Sequence, residues 1–340
     1  MKKRSKIVLP VVIVLVIIAL LAGLIIRNNQ TSSSSDFVIE NGALKKYTGD
    51  ARKVVIPSTV NSISEFAFFG HEEIEQVKIP ETVVNISQGA FYGCSGLKEV
   101  KLPKSLTYID DGSFGECDSL TSFTIPASVQ FVIEGAFYGS DSISEFKVEN
   151  GNESFVSVDG VLYTADKSAL VAYPAAKSSN SYTIDADTTY VAAWAFHCAK
   201  DLKSIVFPAN LEKIGEEAFY SSGIEALDLP ETLAEIGDGA FYCCDGLTEV
   251  TVPESVSAVS SKMFADCKNL KSAVLPEDIQ MIDTMAFSGC EALESVNVGT
   301  QLTDISETSF ADCAKLTITG KAGSMIEEFA EAMGINFKAE

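Results

Sequence analysis

The chain has 340 residues, 46% of them apolar and 21% charged, and a formal net charge of −22. That is ample material for a packed core and too apolar a composition for a disordered chain. Five of the 25 Lys and Arg residues, and none of the 47 Asp and Glu residues, lie within the first 27 positions, so the rest carries −27. Such a surface repels phosphate backbones and argues against nucleic acid as a partner.

Residues 1–6 form a basic tail, and Ile7 to Ile26 is an uncharged run dominated by Val, Ile and Leu. As a helix, those 20 residues would span about 30 Å, the thickness of a bilayer's hydrocarbon core. The competing reading is a cleaved signal peptide. Against it, the run exceeds an ordinary signal core, no Ala-x-Ala site follows, and no Cys follows Leu21-Ala22-Gly23 for lipoprotein processing. A single-pass anchor over 7–26 is expected, with the basic tail cytoplasmic and the remainder at the cell surface. Residues 27–36, with four consecutive serines, read as a short polar tether.

Beyond the tether the sequence repeats itself. Pro57, Pro80, Pro103 and Pro126 lie 23 residues apart, and Pro208, Pro230, Pro253 and Pro276 continue the series with one interval of 22. A phenylalanine column accompanies them, running Phe68, Phe91, Phe114, Phe137, Phe196, Phe219, Phe241, Phe264, Phe287 and Phe310. The predicted fold is an α/β repeat solenoid, a leucine-rich-repeat-like stack of about ten 23-residue coils with short parallel strands, over residues 57–316. In each coil alternate strand residues point inward, as with Val100 and Leu102 around Lys101. An insertion near 149–182 interrupts the stack, and the alternating apolar residues around Asp159-Gly160 predict a hairpin laid on the solenoid. Residues 37–56 read as an N-terminal cap built on a hairpin at Asn41-Gly42. Residues 317–340 read as a C-terminal cap with a helix from Ser324 to Met333, a capping box closed by Glu327, and a stop at Gly334.

The matching residues are specific. The motif Ala-Phe-x-x-Cys-x-x-Leu-x-x-Val-x-Leu-Pro from Ala90 to Pro103, the Val158-Asp-Gly-Val-Leu-Tyr163 hairpin and the Gly323-Ser324 helix start resemble the BspA-like leucine-rich-repeat proteins of bacterial surfaces. The resemblance covers about 37–340. It implies a solenoid fold and a role in adhesion or protein binding, with no catalytic residues to carry over.

Three columns are candidate sites. Cys94, Cys117, Cys244, Cys267, Cys290 and Cys313 share one slot that other coils fill with His71, Ser140, Ala199 and Ser222, which favours packing thiols over disulfides. Cys198 and Cys243 fall one place earlier and are expected to be the more exposed thiols. No His or acidic residue recurs at a metal-ligand spacing, so no metal or other cofactor is expected. The residue after the core Phe gives an aromatic column of Phe69, Tyr92, Tyr138, His197, Tyr220 and Tyr242, able to stack on a sugar or anchor a protein, or simply to shield the coil corners. The outward strand positions give Lys78, Lys101, Lys147, Val206 and Val274, either a binding face or a solvated sheet. Trp194 stands where Gly89 stands in a sibling coil, and could be an anchor or pack against the insertion. No catalytic motif is present, and the two histidines sit in repeat columns. The sequence therefore supports a non-catalytic surface protein binding a protein or glycan outside the cell, with a structural spacer as the alternative.

Overall fold

The computed structural model describes residues 31–340, so the anchor at 7–26 lies outside the described residues. Among the described residues no helix is long and apolar enough to cross a membrane.

Coils make two short strands, save one that lacks the first, and these join two rows running along the molecule. In the first row Lys53–Val55, Gln76–Lys78 and Glu99–Lys101 pair in parallel, with Val54, Val77 and Val100 in register. In the second row Ser62–Ile63, Asn85–Ile86 and Tyr108–Ile109 pair likewise. Only the first row is evident in the sequence, because a two-residue strand leaves no alternation to read. The expectation of an α/β repeat is corrected here. The Ala-Phe segments are chains of tight turns, and among the described residues the only α-helix is Met325–Met333, so the repeat is a β-solenoid.

A single coil is too thin to bury its apolar residues, and the stack does it instead. The ten Phe of the column are buried, and successive rings stack face to face within the runs Phe68 to Phe137 and Phe196 to Phe310, for example 4.7 Å and 11° for Phe68–Phe91 and 5.5 Å and 6° for Phe241–Phe264. On the turn side three backbone N–H groups per coil donate to the next coil, as Gly89 to Asp111, Phe91 to Ser113 and Gly93 to Gly115. That pattern places two residues at positive φ in every coil but the last, which has only Asp312. Many are glycine, but Phe66 (φ 54°) and Trp194 (φ 63°) hold the first of these positions against a left-handed cost of roughly 1–2 kcal/mol each.

The insertion contains the expected hairpin about Asp159-Gly160 and extends it. It is a three-stranded antiparallel meander, Phe155–Val158, Val161–Thr164 and Ala169–Ala172, whose last strand pairs in parallel with Tyr190–Val191. It divides the interior into two hydrophobic cores, one running from Phe37 to Leu162 and the other from Val161 to Ala330. Its end repeats the N-terminal cap. Ala43-Leu44-Lys45-Lys46-Tyr47 and Ala169-Leu170-Val171-Ala172-Tyr173 share the pattern Ala-Leu-x-x-Tyr. Leu44 pairs with Ile63 as Leu170 pairs with Val191. Tyr47 donates its N–H to Ala67 and packs on Phe68 at 5.2 Å; Tyr173 donates to Ala195 and stacks on Phe196 at 4.8 Å. The molecule is therefore two capped stacks in series, of four and six coils. The duplicated cap is visible in the sequence only once the two tyrosines are known to stand in the phenylalanine column.

Smaller corrections follow the same logic. Residues 31–36 are not a free tether: Thr31 bridges to Lys53, Ser32 Oγ accepts from the Val55 N–H at 2.9 Å, and Ser34–Asp36 form a capped 3-10 turn. At the C-terminus the helix Met325–Met333 plugs the stack by setting Phe329 against Phe310 at 6.1 Å. Its start differs from a capping box: Glu327 accepts from the Gly323 N–H and the Ser324 hydroxyl donates to the Lys321 carbonyl. Gly334 ends it at φ 70° as expected.

Phe241 has no exposed surface and stacks between Phe219 and Phe264. Phe241→Ala should destabilise the chain by about 3 to 5 kcal/mol, read as a fall in the denaturation midpoint. A loss below about 1 kcal/mol would mean the column does not hold the coils together.

Candidate functional site

The first strand row presents its outward residues as predicted. Lys78, Lys101, Lys147, Val206 and Val274 are all exposed, Val206 by 55% and Val274 by 44%. They do not form one patch. Val55, Lys78 and Lys101 are in register on one sheet, Lys147 pairs with Thr124 on a second, Val206 with Thr183 on a third, and Val274 lies between Thr251 and Asn297 on a fourth. The row is broken at residues 222–230, where the proline interval shortens to 22 and no strand forms. Lys101 pairs with Glu99 at 3.5 Å and Lys147 with Glu145, while Lys78 makes no ion pair among the described residues. The lysine stripe is thus partly neutralised by its own sheet.

The aromatic column is continuous in space. Phe69 stacks on Tyr92 at 5.7 Å and 7°. The next coil has Gly115, where a Cβ would stand 2.8 Å from the Tyr92 ring, and through that gap Tyr92 reaches Tyr138 at 5.6 Å. Tyr138 meets Trp194 at 5.0 Å, Trp194 meets His197 at 5.6 Å, His197 stacks on Tyr220 at 5.0 Å and 12°, and Tyr220 meets Tyr242 at 5.2 Å. From Tyr92 to Tyr242 these rings are half-buried. Burial and the Glu116 carboxylate, which accepts the Tyr92 hydroxyl, push that phenol up, so it is neutral. The N-terminal end differs: Phe66 and Phe69, edge to face at 5.8 Å, are 50% and 57% exposed. With Lys45, Lys46, Tyr47 and His71 they line an open groove of about 490 Å³. Phe66 was not a predicted site residue, because its column is glycine in four sibling coils and the substitution reads as an irregularity.

Burial explains the cysteine column. The six thiols are buried and free, and each S–H donates to the carbonyl of the core Phe one coil earlier, as Cys94 to Phe68 at 3.2 Å and Cys267 to Phe241 at 3.1 Å. Ser140 does the same to Phe114 at 2.6 Å, and in the first coil His71 Nε2 meets the Tyr47 carbonyl at 3.2 Å. The slot therefore takes small or donor side chains of several shapes, Ala199 filling it without a donor and Ser222 meeting the Cys244 sulfur at 3.4 Å instead. Cys198 and Cys243 are half-buried at positive φ. Where the two stacks meet, Asp141, His197 and Cys198 bring one ligand atom each within 4.8 Å of the others. Sequence spacing could not find this group, because Asp141 precedes the insertion and the other two follow it.

With this geometry the comparisons with known proteins are decisive for the family. The BspA type leucine rich repeat region matches residues 38–158 and 189–317 in six copies, well over half of the chain. The chain belongs to the BspA-type leucine-rich-repeat family. Among solved structures, this BspA-type protein is similar to the pneumococcal vaccine antigen PcpA, with a TM-score of 0.74 and 24% identity over 85% of this chain and 79% of that one. It is also similar to a leucine-rich repeat protein from Eubacterium ventriosum, with a TM-score of 0.71 and 26% identity over 81% and 83% of the two chains. A leucine-rich cell surface protein from Faecalibacterium prausnitzii aligns with a TM-score of 0.53 and 23% identity over 87% and 96%. No curated protein matches.

Access should govern thiol chemistry in this BspA-type chain. Native labelling with a thiol reagent is expected to modify Cys243 first and Cys198 more slowly, because burial and the Asp141 charge push the Cys198 thiol up to about 12. The other six should react only on unfolding. Equal labelling of Cys267 in the native state would contradict the slot described above.

Proposed function

We propose that the chain is a single-pass, membrane-anchored protein that displays its repeat domain outside the cell and binds a protein or glycan there without catalysis. The observation that carries the reading is the groove at the start of the stack. Two large aromatic rings, Phe66 and Phe69, stand exposed beside Lys45 and Lys46 on a body that is otherwise strongly acidic. Exposed aromatics flanked by charge are the usual composition of a binding centre, since the rings supply contact area at low entropic cost and the lysines supply orientation. The half-buried tyrosines behind them act mainly as a shield that keeps the coil corners dry. A second surface, the strand face at Lys78 and Lys101, adjoins the same end and suits an anionic group on the ligand. If residues 7–26 anchor the chain, only positions 27–30 separate the anchor from the segment 31–36 that folds onto the first strand, which supports a site close to the membrane.

The reading is tested with the full chain in detergent, used as bait against envelope, host-protein and glycan material. A Phe66→Gly/Phe69→Ala pair borrows residues that sibling coils already place there, Gly89 and Ala265. It should lose a retained partner by at least about tenfold in affinity, with an unchanged melting temperature. Loss instead in Lys78→Glu/Lys101→Glu/Lys147→Glu would move the site to the strand face. Absence of any specific partner for the parent would favour a structural spacer.

A further inference from the structure

The junction between the two stacks is the one place among the described residues where the turn-side ladder between coils fails. In every other junction of the coils three turn-side N–H groups donate across to the next coil. At this one, Gly135, Phe137 and Gly139 find no acceptor among the described residues. A cavity of about 30 Å³ opens there, room for a water or two, lined by these residues and by Tyr173, Trp194 and His197. Two buried side-chain atoms facing it, the Tyr173 hydroxyl and His197 Nδ1, have no hydrogen-bond partner. Trp194 lies across the gap, with its Cδ1 3.3 Å from where a Cβ on Gly135 would stand.

At the rim of this gap the geometry points to a binding site for a borderline-soft divalent cation of the zinc class, held by Asp141 from the first stack and by His197 and Cys198 from the second. The three donor atoms lie within 4.8 Å of one another, with His197 Nδ1 3.7 Å from Asp141 Oδ1, so a small closure brings all three to one ion. A carboxylate, an imidazole nitrogen and a thiolate with water in the fourth position is an open tetrahedral zinc set, and the nitrogen and sulfur donors disfavour calcium or magnesium. The unpartnered Nδ1 is the atom that such an ion would take. Adjacent residues can both ligate because Cys198 turns the chain at φ 54°, and the imidazole is held in plane by its stack on Tyr220. Asp141 is 45% exposed, which leaves a path for the ion to enter. This departs from the sequence expectation of no metal. Binding would add a tie between two stacks that otherwise meet through the meander, the Tyr138–Trp194 contact and the Glu134 carboxylate, which accepts from the Tyr190 hydroxyl and the Ala193 N–H, across a junction that lacks its backbone ladder.

Cobalt(II) added to the chelator-treated full chain tests the site, because tetrahedral cobalt absorbs in the visible and a thiolate ligand adds a charge-transfer band. One equivalent should give both signals. The repeat supplies substitutions that its own coils tolerate: Cys198→Ser as at Ser221, His197→Tyr as at Tyr220, and Asp141→Ser as at Ser95. The charge-transfer band should vanish in Cys198→Ser, and affinity should fall by at least about 100-fold in each of the other two. Zinc should raise the melting temperature of the parent and of none of the three. The proposal is overturned by an absent charge-transfer band in the parent, by the same band in Cys198→Ser, or by unchanged affinity in His197→Tyr or Asp141→Ser.

Discussion

The stacking of one phenylalanine ring on the next sets the dimensions of this molecule. Rings stack favourably near 5 Å, and parallel strands hydrogen-bond at about 4.8 Å, so one translation per coil satisfies the ring column and both strand rows together. Ring separations of 4.7 Å at Phe196–Phe219 and 5.3 Å at Phe264–Phe287 show how closely this holds. Every other repeated feature is a consequence. The turns must reverse the chain within that pitch, which forces two residues to positive φ in every coil but the last. The slot beside the ring is small and buried, and most of its occupants add a hydrogen bond to a Phe carbonyl one coil earlier, which is why Cys, Ser, His and Ala can exchange there while Phe does not exchange at all.

A stack of this kind is stable only where it is covered. The N-terminal hairpin and the meander solve the problem the same way, by ending an antiparallel strand on a tyrosine that takes the ring position before the first true coil. The tyrosine differs from phenylalanine in its hydroxyl. At the open end the Tyr47 hydroxyl accepts from the Ala51 N–H at 3.3 Å, whereas at the internal junction the Tyr173 hydroxyl has no partner. The meander is therefore a cap caught inside a molecule, covering the second stack well and meeting the first imperfectly. The first stack ends on Phe137, which tilts against Phe123 and Phe146 with no parallel ring beyond it.

The coil number and the inward columns are legible in the sequence because each is repeated, and repetition averages out the ambiguity of any one segment; the two terminal caps are legible from local turn and helix-end signals at Asn41-Gly42 and Gly334. What is not legible is whatever occurs once. The second strand row is too short to alternate, the tyrosines look like surface residues until they are placed in register, and Asp141 gains His197 and Cys198 as neighbours only through the path of the insertion. Phe66 and Trp194 carry the clearest missed signal: Glu217, Lys262 and Met285 also stand at this positive-φ position in place of glycine, but only these two are aromatic, and each lies in the first coil after a cap.

That distribution separates stability from recognition. The inner columns have little freedom, since Phe, Leu and the donor slot are fixed by the pitch. The outer columns vary from coil to coil, so the row Val55, Lys78, Lys101, Thr124, Lys147 can change sign and polarity without altering the stack. A surface built this way would be uniform in shape and informative only in its side chains. The two caps break the uniformity, leaving a groove at the start and a gap at the junction. Concave features arise on this molecule chiefly where a stack begins or ends, which makes the number and placement of caps, rather than the number of coils, the main determinant of where it can hold a ligand.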